Sequence, residues 1–273
     1  MGHRGILKNK KRIIIKVGTA LLTHENGKVN LLRLEELARV TAFLQASGKE
    51  IIIVSSGAIG AGMGKLNLNE KPKEMIEKQA LASIGQAALL RMYTTFFDEY
   101  DQVIGQVLLT RDGIENSVRR TNARNTINHL LKMKVIPIIN ENDTVATEEI
   151  RFGDNDTLSA LVAAAIDADD LILLTDIDRL YSADPRSDAS ARPISDVHHP
   201  ADLQALEQGA GDGGRWGTGG MTTKLAAARI ATASGITVHL ADGRDQHTLE
   251  TMLAGGRGGT VFHPHPQPLG HRK

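Results

Sequence analysis

The sequence predicts an α/β fold built on a central, mainly parallel β-sheet. Short β-branched runs recur along the chain, helical patterns separate them, and the apolar content is aliphatic: hydrophobic residues are 41% of the 273 positions but aromatics only 3%. Runs that are apolar at consecutive positions suit strands covered on both faces. Strands alternating with helices suit right-handed crossovers and a layered α/β sandwich.

The first strand is "RIIIKV" (12–17). The helix after it, "NLLRLEELARVTAFLQASG", places Leu31, Leu34, Ala38 and Phe43 on one broad face and has Gly48 as its stop. "EIIIV" (50–54) is the second strand, and residues 73–99 form a second long helix leading to "QVIGQVLL" (102–109). A helix over 116–133 precedes "KVIPII" (134–139), another over 155–167 precedes "LILL" (171–174), and a fifth over 222–234 precedes "ITVHL" (236–240). The most loop-like stretch is "EQGAGDGGRWGTGG" (207–220). No internal repeat or second domain is evident, so residues 1–262 are expected to form one domain and 263–273 a Pro- and His-rich tail or linker.

Composition narrows the function. Lys+Arg and Asp+Glu are both 32, without the basic excess of a nucleic-acid binder. With no cysteine, disulfides and thiolate metal sites are excluded, and a reducing compartment fits. The basic N-terminus meets only three isoleucines before Lys16, far short of a secretory core, and Ile6 stands where a myristoylation pattern needs Ser or Thr. No run approaches the ~18 apolar residues of a membrane helix. A cytoplasmic protein with neither membrane nor nucleic acid as partner is expected.

Among nucleotide-binding patterns, the P-loop is absent, and the G-x-G-x-x-G in "GAGDGG" (209–214) follows a helical pattern instead of a strand, which makes it a decoy. Gly-rich turns at strand ends are more informative. Gly18 and Thr19 follow the first strand, Ser55, Ser56 and Gly57 the second, and "GTGGMTTK" (217–224) precedes a later helix. Backbone N–H groups at such turns and helix starts can cradle phosphates beyond the carboxyl ends of a parallel sheet. Lys16 interrupts an apolar strand: it either snorkels from an edge or meets an anion, because an unpaired buried ammonium is costly. Lys224 falls in the first turn of its expected helix, where the dipole disfavours a cation and an anion would compensate.

These residues carry a resemblance. "IKVGT", "VSSGAIGAG", "NARNT", "INENDTVA", "FGDNDTLSA", "LLTDIDRLYSADPR" and "GTGGMTTK" occur in the order found in glutamate 5-kinases of the amino-acid kinase superfamily, and the match covers roughly residues 10 to 262. The chain resembles the form of that family without the C-terminal RNA-modification-like (PUA) domain that many bacterial members carry. The resemblance implies a three-layer αβα sandwich, and transfer of the ATP γ-phosphoryl group to the side-chain carboxylate of L-glutamate as the first step of proline synthesis. It implies inhibition by L-proline, a homo-oligomer (dimer or tetramer), and the next enzyme of proline synthesis as a further partner.

By the same resemblance, Lys16, Lys224 and Asp156 are the catalytic set: the lysines contact the transferring phosphate and the acid orients them. Glutamate is held by Ser56, Gly57, Asn140, Asp143, Asp154 and Asn155. The nucleotide is held by Lys16, Gly18, Thr175, Asp176, Thr218, Gly219, Gly220, Met221, Thr222, Thr223 and Lys224. Mg²⁺ arrives on ATP, with no dedicated protein ligand.

The residue chemistry agrees with that reading. Phosphoryl transfer to a carboxylate needs cations between two anions and no general base, because the acceptor is already ionised near neutral pH. Asp143 can accept from a substrate ammonium and Asn155 can donate to a carboxylate, while Asp154 either supports them or caps the next helix. "TVATEEIRF" (144–152) alternates apolar and polar residues, as a hairpin closing over substrate would. His198, His199, His263, His265 and His271 read as a solvated group or a metal site, and Trp216 as packing or an adenine stack.

Overall fold

The computed structural model describes residues 11–24, 28–70, 72–146, 155–183, 185, 188–211, 219–245, 247–253, 256 and 258–265. Asp154, Thr218, Trp216, His271 and most of the expected hairpin lie outside the described residues.

The chain runs β1 (Arg12–Val17), α1 (Thr19–Leu22), α2 (Leu31–Ala46), β2 (Glu50–Val54), α3 (Ala58–Leu66), α4 (Met75–Asp98), β3 (Ile104–Leu109), α5 (Arg111–Glu115), α6 (Ser117–Lys132) and β4 (Ile136–Glu141). It continues through α7 (Asn155–Ala165), β5 (Asp170–Thr175), β6 (Leu180–Tyr181), β7 (Pro193–Ile194), β8 (Asp196–Val197), α8 (Pro200–Gly211), α9 (Gly219–Ala233), β9 (Thr237–Asp242), α10 (Thr248–Leu253) and β10 (Thr260–Phe262). Eight strands form one sheet in the order β3-β4-β2-β1-β5-β9-β10-β8, with β6 and β7 as a separate pair. Within the large sheet only the β9–β10 pairing is antiparallel.

The expected three-layer sandwich is present, and strand alternation builds it. Ile13, Ile15 and Val17 of β1 face a core shared with Leu34 and Leu44 of α2 and Tyr93 and Phe97 of α4. Ile14 faces the opposite core, where the covering helices present small residues: Ala160 and Ala163 of α7, Ala227, Ala228 and Ala231 of α9. Small side chains let those helices lie close to the sheet, and α7 and α9 also pack on each other.

Several elements depart from expectation. β3 is an edge strand whose residues are half-buried or exposed, so its apolar run is not covered on both faces. The glycine-rich "AIGAGMGKL", for which no element is expected, forms α3. Glycine is required there by contact: a Cβ on Gly85 would sit 1.7 Å from the Ala58 oxygen, and one on Gly62 2.0 Å from that of Leu81. The helices α3 and α4 therefore cross backbone to backbone, and glycine's low helix propensity is overridden by packing. The helix expected over 222–234 begins earlier, at Gly219. His263 and His265 do not leave the domain at once, since their N–H groups donate to Val197 O (2.9 Å) and Thr232 O (3.1 Å).

Candidate active site

Strand order reverses around β1: the chain moves to β2 on one side and later to β5 on the other. Such a switch point opens a crevice at the carboxyl ends of the strands. A cleft of about 290 Å³ lies there. It is lined by Gly18 after β1, Ser56 and Gly57 after β2, Asn140 and Glu141 at the end of β4, and Thr175 and Asp176 at the end of β5.

Gly57 has φ +87°, a left-handed conformation that turns the chain sharply from β2 into α3. Ala58 and Ile59, the first residues of α3, line the cleft beside it. Gly18 precedes the single turn of α1, and a side chain there would begin 3.8 Å from Lys16 Nζ.

Lys16 shares the face of β1 that Ile14 uses, so its side chain passes under α7 and α9. β1 is central, flanked by β2 and β5, which removes the edge-snorkelling alternative. Its Nζ lies 2.5 Å from Asp156 Oδ1, with the two side chains 3% and 0% exposed. Lys224 Nζ approaches the other oxygen, Oδ2, at 3.2 Å, and the Thr223 hydroxyl donates to that same oxygen at 3.1 Å. One fully buried carboxylate thus holds two ammonium groups from elements on either side of it. Asp156 is second in α7, where the helix N-terminus also favours negative charge. Lys224 is one turn deeper in α9 than a start at 222 would put it, and its Nζ reaches back to donate to the Gly220 oxygen at 3.1 Å. The anion expected to compensate it is Asp156 of α7, with the Gly220 carbonyl in the first turn of α9 accepting a second bond.

The other wall is a network of amides. Asn155 Nδ2 donates to Ser55 O at 2.5 Å and to Asn140 Oδ1 at 2.7 Å, and Asn140 Oδ1 also accepts from the Glu141 N–H at 2.9 Å. Both Asn155 amide hydrogens are therefore engaged in tying together the ends of β2, β4 and α7. Its expected donation to a ligand carboxylate is not available in this arrangement; among the described residues the Nδ2 group of Asn140 is the amide donor left for the cleft. Asp143, half-buried, lines the same side. Beneath the wall, Ser55 and Tyr93 share a hydrogen bond of 3.0 Å. Burial raises the Tyr93 phenol pKa more than that bond lowers it, so the ring stays neutral.

Of the residues expected at the site, Lys16, Gly18, Ser56, Gly57, Asn140, Asp143, Asn155, Thr175, Asp176 and Lys224 line the cleft. Asp156 lies behind the lysines, and Thr223 and Gly220 touch the triad from α9. Met221 is different: the residue is 4% exposed, packs in the alanine-rich core and does not line the cleft. Thr222 is exposed, Gly219 opens α9, and Asp154 and Thr218 lie outside the described residues. "NARNT" lies along α6, its residues exposed or half-exposed and away from the cleft lining. Glu141 is a lining residue that motif reasoning passed over; its place beside Asn140 in "INEND" is the signal that points to it.

A model of the amino acid kinase family matches residues 11–242. Glutamate 5-kinase of Synechococcus sp. (strain CC9605) is 56% identical over 260 residues, covering 95% of this chain and 72% of that protein. Glutamate 5-kinase of Clostridium perfringens is 48% identical, covering 95% of this chain and 97% of that one. The chain belongs to the amino acid kinase family, in its glutamate 5-kinase branch. Isopentenyl phosphate kinase of T. acidophilum, solved as a product complex, superposes with a TM-score of 0.62 at 15% identity, covering 93% of this chain and 100% of that one. At that identity the likeness concerns the fold. Among the described residues of this kinase no helix is long and apolar enough to cross a membrane.

Proposed function

We propose that this kinase transfers the γ-phosphoryl group of ATP to the side-chain carboxylate of L-glutamate, giving L-glutamyl 5-phosphate. The observation that carries the reading is the buried Lys16–Asp156–Lys224 cluster at the head of a polar cleft. A glutamate oxygen forms the new P–O bond as the bond from the γ-phosphorus to the β-phosphate oxygen breaks, and ADP leaves. Two anions must meet for this to happen, and the two ammonium groups sit where that repulsion needs offsetting. Asp156 ties both to one buried carboxylate, so they are aligned before substrate arrives. No group has to take a proton from the acceptor.

The amide wall and Asp143 form the glutamate end, with Asp143 accepting from the substrate ammonium. Gly18, Thr175, Asp176 and the start of α9 form the nucleotide end. Glu141, Asp143 and Asp176 line the cleft with hard carboxylate oxygens of the kind Mg²⁺ takes, whereas Asp156 is engaged by two lysines. This fits Mg²⁺ carried mainly by the nucleotide's phosphates, where it neutralises charge on the migrating group. L-Proline as feedback inhibitor, assembly into a homo-oligomer, and hand-over of the acyl phosphate to the next enzyme of proline synthesis belong to the same reading.

Hydroxylamine traps an acyl phosphate as a coloured hydroxamate. With ATP and Mg²⁺ the expected outcome is signal with L-glutamate, little with L-aspartate or N-acetyl-L-glutamate, and a decrease on adding proline. Signal with another acid alone would overturn the substrate assignment.

A further inference from the structure

Two of the histidines that the kinase reading leaves unassigned, His198 and His263, meet at the other end of the sheet. β8 is an edge strand, and period two puts Asp196 and His198 on one side of it while Val197 is buried between them. β8 runs parallel to β10 with Val197 opposite Phe262, so the next residue, His263, comes alongside His198. His263 Nε2 lies 2.9 Å from Asp196 Oδ1, and the two imidazole rings stack with centroids 4.1 Å apart and planes 12° from parallel. One ligand atom from each of Asp196, His198 and His263 falls within 4.8 Å of the others. The backbone beneath is held to β8 by His263 N–H to Val197 O (2.9 Å) and to α9 by His265 N–H to Thr232 O (3.1 Å).

We propose that Asp196, His198 and His263 together bind one divalent transition-metal ion of the zinc class. Two imidazoles and a carboxylate are a donor set suited to Zn²⁺, Ni²⁺ or Cu²⁺, whereas Mg²⁺ prefers oxygen ligands and retained waters. An ion pair between His263 and Asp196 accounts for two members of the group. That pair leaves out the second imidazole, His198, which is held against His263 within reach of the same carboxylate. To coordinate, His263 carries its ring proton on Nδ1 and turns the Nε2 lone pair to the ion. The stacked rings then hinge apart so that their in-plane lone pairs converge at about 2.0–2.1 Å from it. Three protein ligands leave a fourth position for water.

Position decides the role. β10 is antiparallel to β9, with Phe262 opposite Val238, so the cluster sits at the amino ends of the parallel strands, across the sheet from the cleft. The ion clips the edge strand β8 to β10 and takes no part in phosphoryl transfer.

The test uses the full chain, stripped with chelator and titrated with Zn²⁺ against a chromophoric competitor, with thermal unfolding followed in parallel. One equivalent should bind with micromolar or tighter affinity and raise Tm, as any ligand selective for the native state does, while Mg²⁺ should leave that transition in place. His198→Ala and His263→Ala should each weaken binding at least ~100-fold, with glutamate kinase turnover unchanged. Because a variant can fail to fold, Co²⁺ substituted into the unmodified chain gives a second reading: an intense, four-coordinate ligand-field spectrum is expected. A weak, octahedral Co²⁺ spectrum would overturn the site. Equal Zn²⁺ affinity in the His198 and His263 variants, or loss of binding only on His271→Ala, would overturn it too.

Discussion

Two buried carboxylates lie on opposite faces and at opposite ends of this sheet. Asp156, at the carboxyl end on the alanine-rich face, is fully buried and holds Lys16 and Lys224. Asp170, at the amino end on the other face, is equally buried and meets His239 Nε2 at 3.2 Å, with Ile172 and Leu174 of its own strand in the surrounding core. Burial alone therefore does not mark the catalytic acid. The difference is access: the lysines that Asp156 holds line a cleft, whereas Asp170 and His239 close on each other inside hydrocarbon. Buried charge is expensive in both places, and only at the first does an incoming anion share the benefit of it.

Substitutions at the two carboxylates can break this comparison. The largest effect is expected for Asp156→Ala, which leaves two buried ammonium groups facing each other. Turnover should fall by more than ~10³ and stability by about 3–5 kcal/mol, read by the hydroxamate assay and by denaturant unfolding. Lys224→Ala comes next. It removes one transition-state contact but leaves the Lys16–Asp156 pair, so kcat should drop ~10²–10³ while the unfolding midpoint stays close to the parent's. An unchanged kcat would remove Lys224 from the mechanism. Asp143→Ala sharpens the assignment within the cleft: the glutamate KM should rise ~10–100-fold, the worth of a hydrogen bond to a charged group, with the ATP KM little altered. The smallest catalytic effect is expected for Asp170→Asn at the other carboxylate. Stability should fall by about 1–2 kcal/mol with kcat unchanged, and a loss of turnover there would show that the two ends of the sheet are coupled.

Much of the fold was legible locally. β1, β2, β4, β5 and β9 announce themselves as predominantly aliphatic runs without polar alternation, because a strand covered on both faces has no reason to alternate. α3 was not legible. Its glycines argue for a loop by propensity, and only the contact of Gly62 and Gly85 with the neighbouring backbone makes a helix of them. β8 and β10 are too short to carry a pattern of their own and exist as strands because they pair with each other and with β9. At the site, residue types foretold the chemistry better than the bonding. Asn155 reads as a donor to substrate, yet its amide is committed to Ser55 and Asn140, and Met221 sits inside a binding motif with its side chain in the core.

By itself the sequence determined the layered α/β class, the exclusion of disulfide and thiolate chemistry, and the motifs whose resemblance to glutamate 5-kinases groups Lys16, Asp156, Lys224 and the Asx residues. Each of those is a property of local pattern or residue type, readable one segment at a time. Tertiary structure alone decided that β1 is central, that one carboxylate is shared by two lysines 208 positions apart in the chain, and that His198 meets His263. Those depend on strand order and register, which are set by how whole faces pack, and no single segment contains that information.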